Sequence, residues 1–579
     1  MFHVSPHWLW LKPLADACAG AAIAFVAGAL QRAVPEHATN RRVLWAVTAG
    51  LLLSVALPYR SSLGSGSLVL IAAGAAVPAS YYLMRAEKFL GGRGGTLAST
   101  ATVLCLLAVG AAILIVPIAV ERRRAAGLGP VSAASPNIVL VVLDTVRAPG
   151  MEPGDRSIET LPNFAHLASS GVQFTQAIAT SSWTLESHAS LFTGLYPEQI
   201  FTNGETPINF ETPFPQDTPT LAEALGRKGY VTGGFAGNTS YMSREHGLDR
   251  GFLHYDDYPL KWGDVVASSA LGLKALEKLA RWQDGPLPIG RRSAEQVTGA
   301  FLNWFDQQKG RPVFAYLNYF DAHDPYVPER GFRTGEVVEP YISPYRHYEA
   351  DEVARLRHAY DDCVTALDHR IGRLIAALDE RHALDSTVLV ITSDHGEHFG
   401  EHDLMSHGNS LYRQALQVPL VIRYPAMVPA GTTVSVPVSL RDVPKTLMEL
   451  AGLNAELVPG VSLSHLWSQL PSTESPSPVV SSLIVGRERH RFAPANWPVS
   501  RGSMRSVVAY GLHYILNGDG QEELYDWESD AGETRNLSTA PEQALALRRL
   551  RMLLNVIDDN PQLAAGRPYQ AAARIPRLP

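Results

Sequence analysis

Four apolar, β-branched runs in this 579-residue chain each lead into residues able to hold a cation or a charged ester. Asn137–Leu143 ends at Asp144, and Thr387–Thr392 leads through Ser393 to Asp394 and His395. Val313–Phe320 runs into Asp321 and His323, and Tyr230–Ala236 into Asn238. In open α/β sheets functional groups collect beyond the carboxyl ends of the strands, so these residues should converge. Two carboxylates and one imidazole, from Asp144, Asp394 and His395, would then offer a mixed oxygen and nitrogen set to a divalent metal ion. Taken singly, Asp144 reads equally as a turn or helix-cap carboxylate, and Asp394–Glu397 as a polar loop.

The segment Ser181–Gly194 reads as a turn feeding a short helix that stops at glycine, with Thr184 at its start. A helix N-terminus presents unpaired N–H groups and a positive dipole end, both suited to phosphate or sulfate. The plain alternative is that Thr184 is only an N-cap. His398 and His402 stand four apart, as in a helical zinc pair, but Gly396 and Gly400 argue against a helix there and for two loop histidines.

The elements that would position these groups begin at Pro136. The five strand-like runs, with Pro419–Tyr424 as the last, alternate with helical spacing over Thr218–Lys228 and Glu352–Leu378. Such alternation predicts an α/β sandwich with a mostly parallel central sheet. After about Pro459 the pattern weakens through a Pro- and Ser-rich loop at Pro471–Pro478, and a smaller α+β unit is expected from 459 to 579. The expected catalytic domain therefore spans 136–458.

Before residue 121 the chain is different. Leu14–Leu30, Val43–Tyr59, Ser67–Met84 and Ser99–Val120 reach or approach the roughly 20 apolar residues that cross a bilayer, which predicts an all-α transmembrane region at 1–121 and a Gly/Ala/Ser/Pro linker at 122–135. The first run, with Asp16 inside it, also suits an interfacial helix. If all four span, six Lys or Arg flank one side (Arg32, Arg41, Arg42, Arg85, Lys88, Arg93) and five the other (Lys12, Arg60, Arg122, Arg123, Arg124). That bias leans towards an extracytoplasmic globular domain on a multi-pass anchor in the lipid bilayer. The net charge of -7 gives no basic footprint for nucleic acid, and three cysteines cannot build a disulfide framework.

The stretches Asn137–Arg147, Thr184–Gly194, Asp394–Glu397 and Leu524–Asp526 together resemble the sulfatase family, within the alkaline phosphatase superfamily, over roughly Pro136–Leu537. The resemblance implies that fold and a divalent metal ion, Mn²⁺, Zn²⁺, Mg²⁺ or Ca²⁺, held by Asp144, Asp394, His395 and Thr184. It implies a phospho- or sulfo-ester substrate, such as one carried by a lipid or a glycan. Sulfatases carry Cys or Ser, oxidised to formylglycine, in a Cys/Ser-x-Pro-Ser-Arg pattern; here Thr184-Leu185-Glu186-Ser187-His188 stands in that register, and Thr145 takes the place of a second Asp. Formylglycine chemistry is therefore not expected. A sulfated threonine lacks the aldehyde exit, whereas a phosphorylated threonine can be resolved at phosphorus, as in the similar lipoteichoic acid synthases and phosphoethanolamine transferases. On this reading Thr184 is the nucleophile and Arg147, His188 and Asn238 contact the transferred group. His323 and His407 bind oxygens or protonate the leaving group. Two alternatives stand beside it: a formylglycine-independent sulfuric ester hydrolase, and a catalytically silent sulfatase-like membrane scaffold.

Overall fold

The computed structural model describes residues 119–559, apart from 133–134, 151–159, 202–217, 258–290, 309, 330, 336–345, 469–476 and 486–492. The strands and helices that build the site belong to one compact unit, Arg124–Tyr258 with Gly290–Pro579. The four apolar segments, save Ala119 and Val120, lie outside the described residues. Among the described residues no helix is long and apolar enough to cross a membrane.

In chain order the main elements are β1 (Asn137–Leu143), α1 (Pro162–Ser169), β2 (Val172–Ile178), α2 (Thr184–Thr193), α3 (Leu221–Arg227), β3 (Val231–Phe235), β4 (His254–Asp256), α4 (Ala294–Phe305), β5 (Val313–Tyr319), α5 (Ala350–Glu380), β6 (Thr387–Ser393), β7 (His398–Phe399), β8 (Met405–Ser406), β9 (Gln417–Arg423), β10 (Thr432–Val434), β11 (Val438–Ser439), α6 (Val443–Leu450), β12 (Val479–Leu483), β13 (Met504–Ala509), β14 (Leu512–Leu516), β15 (Glu522–Asp526) and α7 (Ala544–Asp559). The central sheet runs β10-β2-β9-β6-β1-β5-β3-β4, with β11 also on β2. Its pairs are parallel except at β9, which is antiparallel to both β6 and β2. The sheet is thus mostly parallel, as expected, and mixed only at β9, which enters from the short turn after the His407 loop rather than from a crossover helix; antiparallel entry needs no crossover.

Asn-Ile-Val-Leu-Val-Val-Leu at β1 is apolar without alternation because both faces of the strand are covered. Val139, Val141 and Leu143 pack with Phe164, Phe301, Leu367 and Leu374 from α1, α4 and α5. Ile138, Leu140 and Val142 pack with Leu191, Leu225 and Leu447 from α2, α3 and α6. Each such side chain, wholly removed from water, contributes about 1.5–3 kcal/mol. Helix α5 buries Leu356, Ala359, Cys363, Leu367, Ile371, Leu374 and Leu378, a three-to-four spacing that lays one stripe on the sheet. From the same helix Asp368 accepts from the N–H groups of Asn163 and Phe164, at 3.1 and 2.8 Å, where α1 leaves donors unsatisfied.

The five expected strands correspond to β1, β3, β5, β6 and β9, and the two helical stretches to α3 and α5. Sequence reading missed β2, whose Val-Gln-Phe-Thr-Gln-Ala-Ile carries polar residues among the apolar ones, and the short β4, β10 and β11. After the central sheet, β12-β13-β14-β15 form a four-stranded antiparallel sheet whose apolar face meets Leu550, Leu553 and Leu554 of α7.

Candidate active site

The site lies beyond the carboxyl ends of β1, β6, β5 and β3. β1 is flanked by β5 and β6 in parallel register, Leu143 opposite both Tyr319 and Ser393. Asp144 and Asp394 therefore leave adjacent strands at the same level. Asp144, Asp394 and His395 bring ligand atoms within 4.8 Å of one another, all three residues fully buried. Asp394 Oδ1 accepts from the N–H groups of Thr145 and His395, at 3.3 and 3.0 Å, and Asp144 Oδ2 accepts from Asn238 Nδ2 at 3.1 Å. Asp144 Oδ1 and Asp394 Oδ2 make no hydrogen bond. Burial, and for Asp144 also the neighbouring Asp394, raises these carboxyls to about 6 and about 7. Two buried carboxylates with an oxygen each to spare, beside an imidazole, are what a divalent cation would relieve. The donor set fits such an ion. Thr145, in the place of the family's second Asp, holds a left-handed backbone (φ 64) that a β-branched residue adopts only under strain, here fixed between the two ligands.

Thr184 opens α2. Trp183, in extended backbone, occupies the N-cap position and offers no side-chain cap, so Thr184 is the first helical residue and not the cap. Its Oγ1 lies 3.1 Å from His395 Nε2. The helix is pinned there because Ser187 Oγ donates to the Asp394 carbonyl at 2.6 Å and Glu186 Oε2 accepts from Ser181 Oγ at 2.6 Å. At its far end Gly194 takes the left-handed conformation (φ 74), and a Cβ there would meet the Pro459 carbonyl at 2.3 Å. The N-terminal end of α2, with its dipole and unpaired first-turn donors, thus lies beside Asp394 and His395.

His323 and His407 join this centre, with rings 5.0 Å apart, and His407 lies 4.4 Å from the His395 ring. His323 Nδ1 lies 2.9 Å from Asp324 Oδ1. Burial disfavours the His323 cation, but Asp324, Asp144 and Glu397 outweigh it and push the imidazole up to about 10. His407 Nδ1 lies 2.9 Å from Glu397 Oε1.

Three residues expected on the transferred group have other first partners. Asn238 donates to Asp144, while its Oδ1 accepts from the N–H groups of Ser240 and Tyr241. Arg147 Nη1 donates to Glu401 Oε1 at 2.7 Å, a partly buried pair; burial opposes the Glu401 charge, but Arg147 and then His398 outweigh it and hold the carboxyl down at about 2. His188 is fully buried, and burial lowers it to about 3, so its neutral ring donates through Nδ1 to the Thr184 carbonyl at 2.8 Å. It cannot supply the positive charge of an arginine in that register. Asp321 caps α4, its Oδ2 accepting from Ala294 N–H at 2.8 Å. His398 sits in β7, fully buried against Ser410 Oγ at 2.8 Å, while His402 (φ 55) stacks on Tyr412 in the following turn, so no helical pair forms. Sequence reading gave no role to Glu397, Asp324, Tyr326 or Trp183. The first two could have been found as carboxylates close in sequence to a site histidine; Tyr326 and Trp183 carried no signal beyond adjacency.

The family model "Sulfatase" matches residues 136–453. Among curated proteins the chain is 24% identical over 459 residues to a choline-sulfatase of Rhizobium meliloti, covering 71% of this chain and 84% of that protein. It is 25% identical over 478 residues to an arylsulfatase of Clostridium perfringens, covering 72% and 93%. Among solved structures a phosphonate monoester hydrolase of Agrobacterium radiobacter superposes with a TM-score of 0.55 at 20% identity, over 73% of this chain and 95% of that one, which is a likeness of fold. With the family match spanning more than half of its length, the chain belongs to the sulfatase family.

Proposed function

We propose that this protein is a membrane-anchored, metal-dependent hydrolase or transferase that acts on a phospho- or sulfo-ester through Thr184. One observation carries the proposal: Thr184 Oγ1, at the N-terminus of α2, stands 3.1 Å from His395 beside two buried carboxylates that each keep an oxygen free of hydrogen bonds. A divalent cation held by Asp144, Asp394 and His395, with Mn²⁺ or Zn²⁺ favoured by the mixed donors, would neutralise ester charge and favour the ionised threonine hydroxyl.

In the first step the Thr184 hydroxyl gives up its proton to solvent and Oγ1 bonds to phosphorus as the bond to the leaving oxygen breaks, the leaving oxygen taking a proton from His323 or His407. The first-turn N–H groups of α2 face the charge that develops on the non-bridging oxygens. Asn238 holds Asp144 in place, and neutral His188 fixes the carbonyl of Thr184. In the second step water, or the hydroxyl of an acceptor, gives its proton to the histidine deprotonated in the first step, attacks at phosphorus and releases Thr184; water gives hydrolysis and an acceptor hydroxyl gives transfer. A phosphoester is the favoured substrate because threonine, unlike formylglycine, offers a sulfate no exit by collapse to an aldehyde. Sulfuric ester hydrolysis without formylglycine is the second reading, supported by relatives named for choline sulfate and aryl sulfates. The apolar segments before residue 121 would anchor the catalytic unit, outside the cytoplasm, at a membrane surface.

The test is turnover of the full-length protein with Mn²⁺ on a phosphodiester, a phosphomonoester and an aryl sulfate. Phosphoester cleavage lost in Thr184→Ala supports the proposal; sulfate release alone favours the second reading; no turnover and no bound metal would leave a silent scaffold.

A further inference from the structure

The hairpin between His395 and Asn409 is built around a carboxylate that the mechanism above does not use. β7 and β8 pair His398 with Ser406 and Phe399 with Met405, so Glu397 and His407 are the next two residues to face each other across the ribbon. There Glu397 Oε1 lies 2.9 Å from His407 Nδ1, and Glu397 Oε2 accepts from Tyr326 Oη at 2.9 Å. Glu397 is fully buried, and Tyr326 is held between Tyr360 and Phe399, with ring centres at 5.6 and 5.5 Å. The ribbon leaves little slack. A Cβ on Gly396 would meet the Gln414 carbonyl at 2.1 Å, and His402, Asp403 and Ser406 all hold positive φ. A buried carboxylate is costly unless its oxygens are satisfied, and here Oε1 has His407 and Oε2 has Tyr326.

We propose that Glu397, steadied by Tyr326, is a positioning residue for His407: it accepts a hydrogen bond from the Nδ1–H of the imidazole and so turns Nε2 towards the leaving oxygen of the substrate. A histidine whose one nitrogen is tied to a carboxylate has its ring plane and tautomer set by that bond. His323 is similarly tied through Nδ1, 2.9 Å from the Asp324 carboxylate and 2.8 Å from the Asp324 carbonyl, with its ring 5.0 Å from that of His407. The inference rests on the proposed role of His407 at the leaving group.

The experiment compares full-length wild type with Glu397→Gln, Tyr326→Phe, His407→Ala and the double variant Glu397→Gln/His407→Ala. Each is assayed on a p-nitrophenyl and an alkyl ester of the same acid. Positioning through His407 predicts that Glu397→Gln lowers kcat on the alkyl ester by about tenfold to hundredfold with KM little changed, and acts much less on the p-nitrophenyl ester, whose leaving group needs no proton. Tyr326→Phe should move the same way by less. In the His407→Ala background Glu397→Gln should add nothing. Equal losses on both esters, or undiminished loss in that background, would overturn the inference. If wild type cleaves neither ester, the functional reading has failed, and the positioning claim is still decided by histidine ¹⁵N spectra. Wild type must show His407 protonated at Nδ1, and Glu397→Ala must lose that signature while keeping the other histidine signals.

Discussion

At the scale of single residues, the chemistry turns on groups whose charge is governed by burial. Asp144 and Asp394, raised to about 6 and about 7, hold protons more tightly in the folded chain than the roughly 3.9 of an unfolded aspartate. Folding without a cation therefore takes up protons at these sites. Their contribution to stability is present at low pH and is lost as the pH climbs through about 6 and 7. A bound cation removes that loss. The increase in Tm on adding Mn²⁺ should accordingly grow between about pH 5 and pH 8 and vanish in Asp394→Asn; a pH-independent increase, or one that survives the substitution, would count against the metal site. For the protonated His323, replacement by Ala should lower kcat by about 10²-fold or more on an alkyl ester if it donates to the leaving oxygen, while leaving the Mn²⁺ effect on Tm intact. The convergence of Asp144, Asp394 and His395 was legible in the sequence because they follow apolar runs. The partners of Arg147, Asn238 and His188 were not, since each is set by a contact 4 to 254 positions away that no local pattern records.

At the scale of elements, the site depends on two adjacent strands ending level and on one helix starting beside Asp394 and His395. β1 and β6 were readable because strands covered on both faces are apolar throughout, and α5 because its stripe repeats over 31 residues. The reversal of β9 was not, because strand direction is a property of the connection and not of the strand's composition. Leu140→Ala, which empties a fully buried position on the α2 side of β1, should cost about 2–5 kcal/mol in denaturant unfolding. Gly194→Ala tests the helix stop: positive φ and the Pro459 carbonyl together oppose a side chain, and a loss of about 1–3 kcal/mol is expected. Because α2 carries Thr184 at its other end, that variant should also lose kcat, which Leu140→Ala need not do beyond its loss of folded protein. Unchanged stability in Gly194→Ala would show that the helix end can shift without consequence.

At the scale of the whole molecule, a sulfatase-family unit follows a stretch of some 120 residues that carries four apolar segments. If the catalytic unit faces away from the cytoplasm, a cysteine placed at Ser132 should react with a membrane-impermeant thiol reagent in intact cells, and one placed at Ala38 should react only after lysis; the reverse pattern would invert the topology. Such an anchor would hold the site near lipid- or glycan-linked esters. The central claim concerns Thr184 itself. Its most direct test is intact-mass analysis of the full-length protein with Mn²⁺ after brief incubation with a phosphodiester. The account predicts a phosphoryl-type adduct that maps to Thr184 and is absent from Thr184→Ala. Turnover at wild-type rate by Thr184→Ala, or an adduct that maps elsewhere, would contradict it.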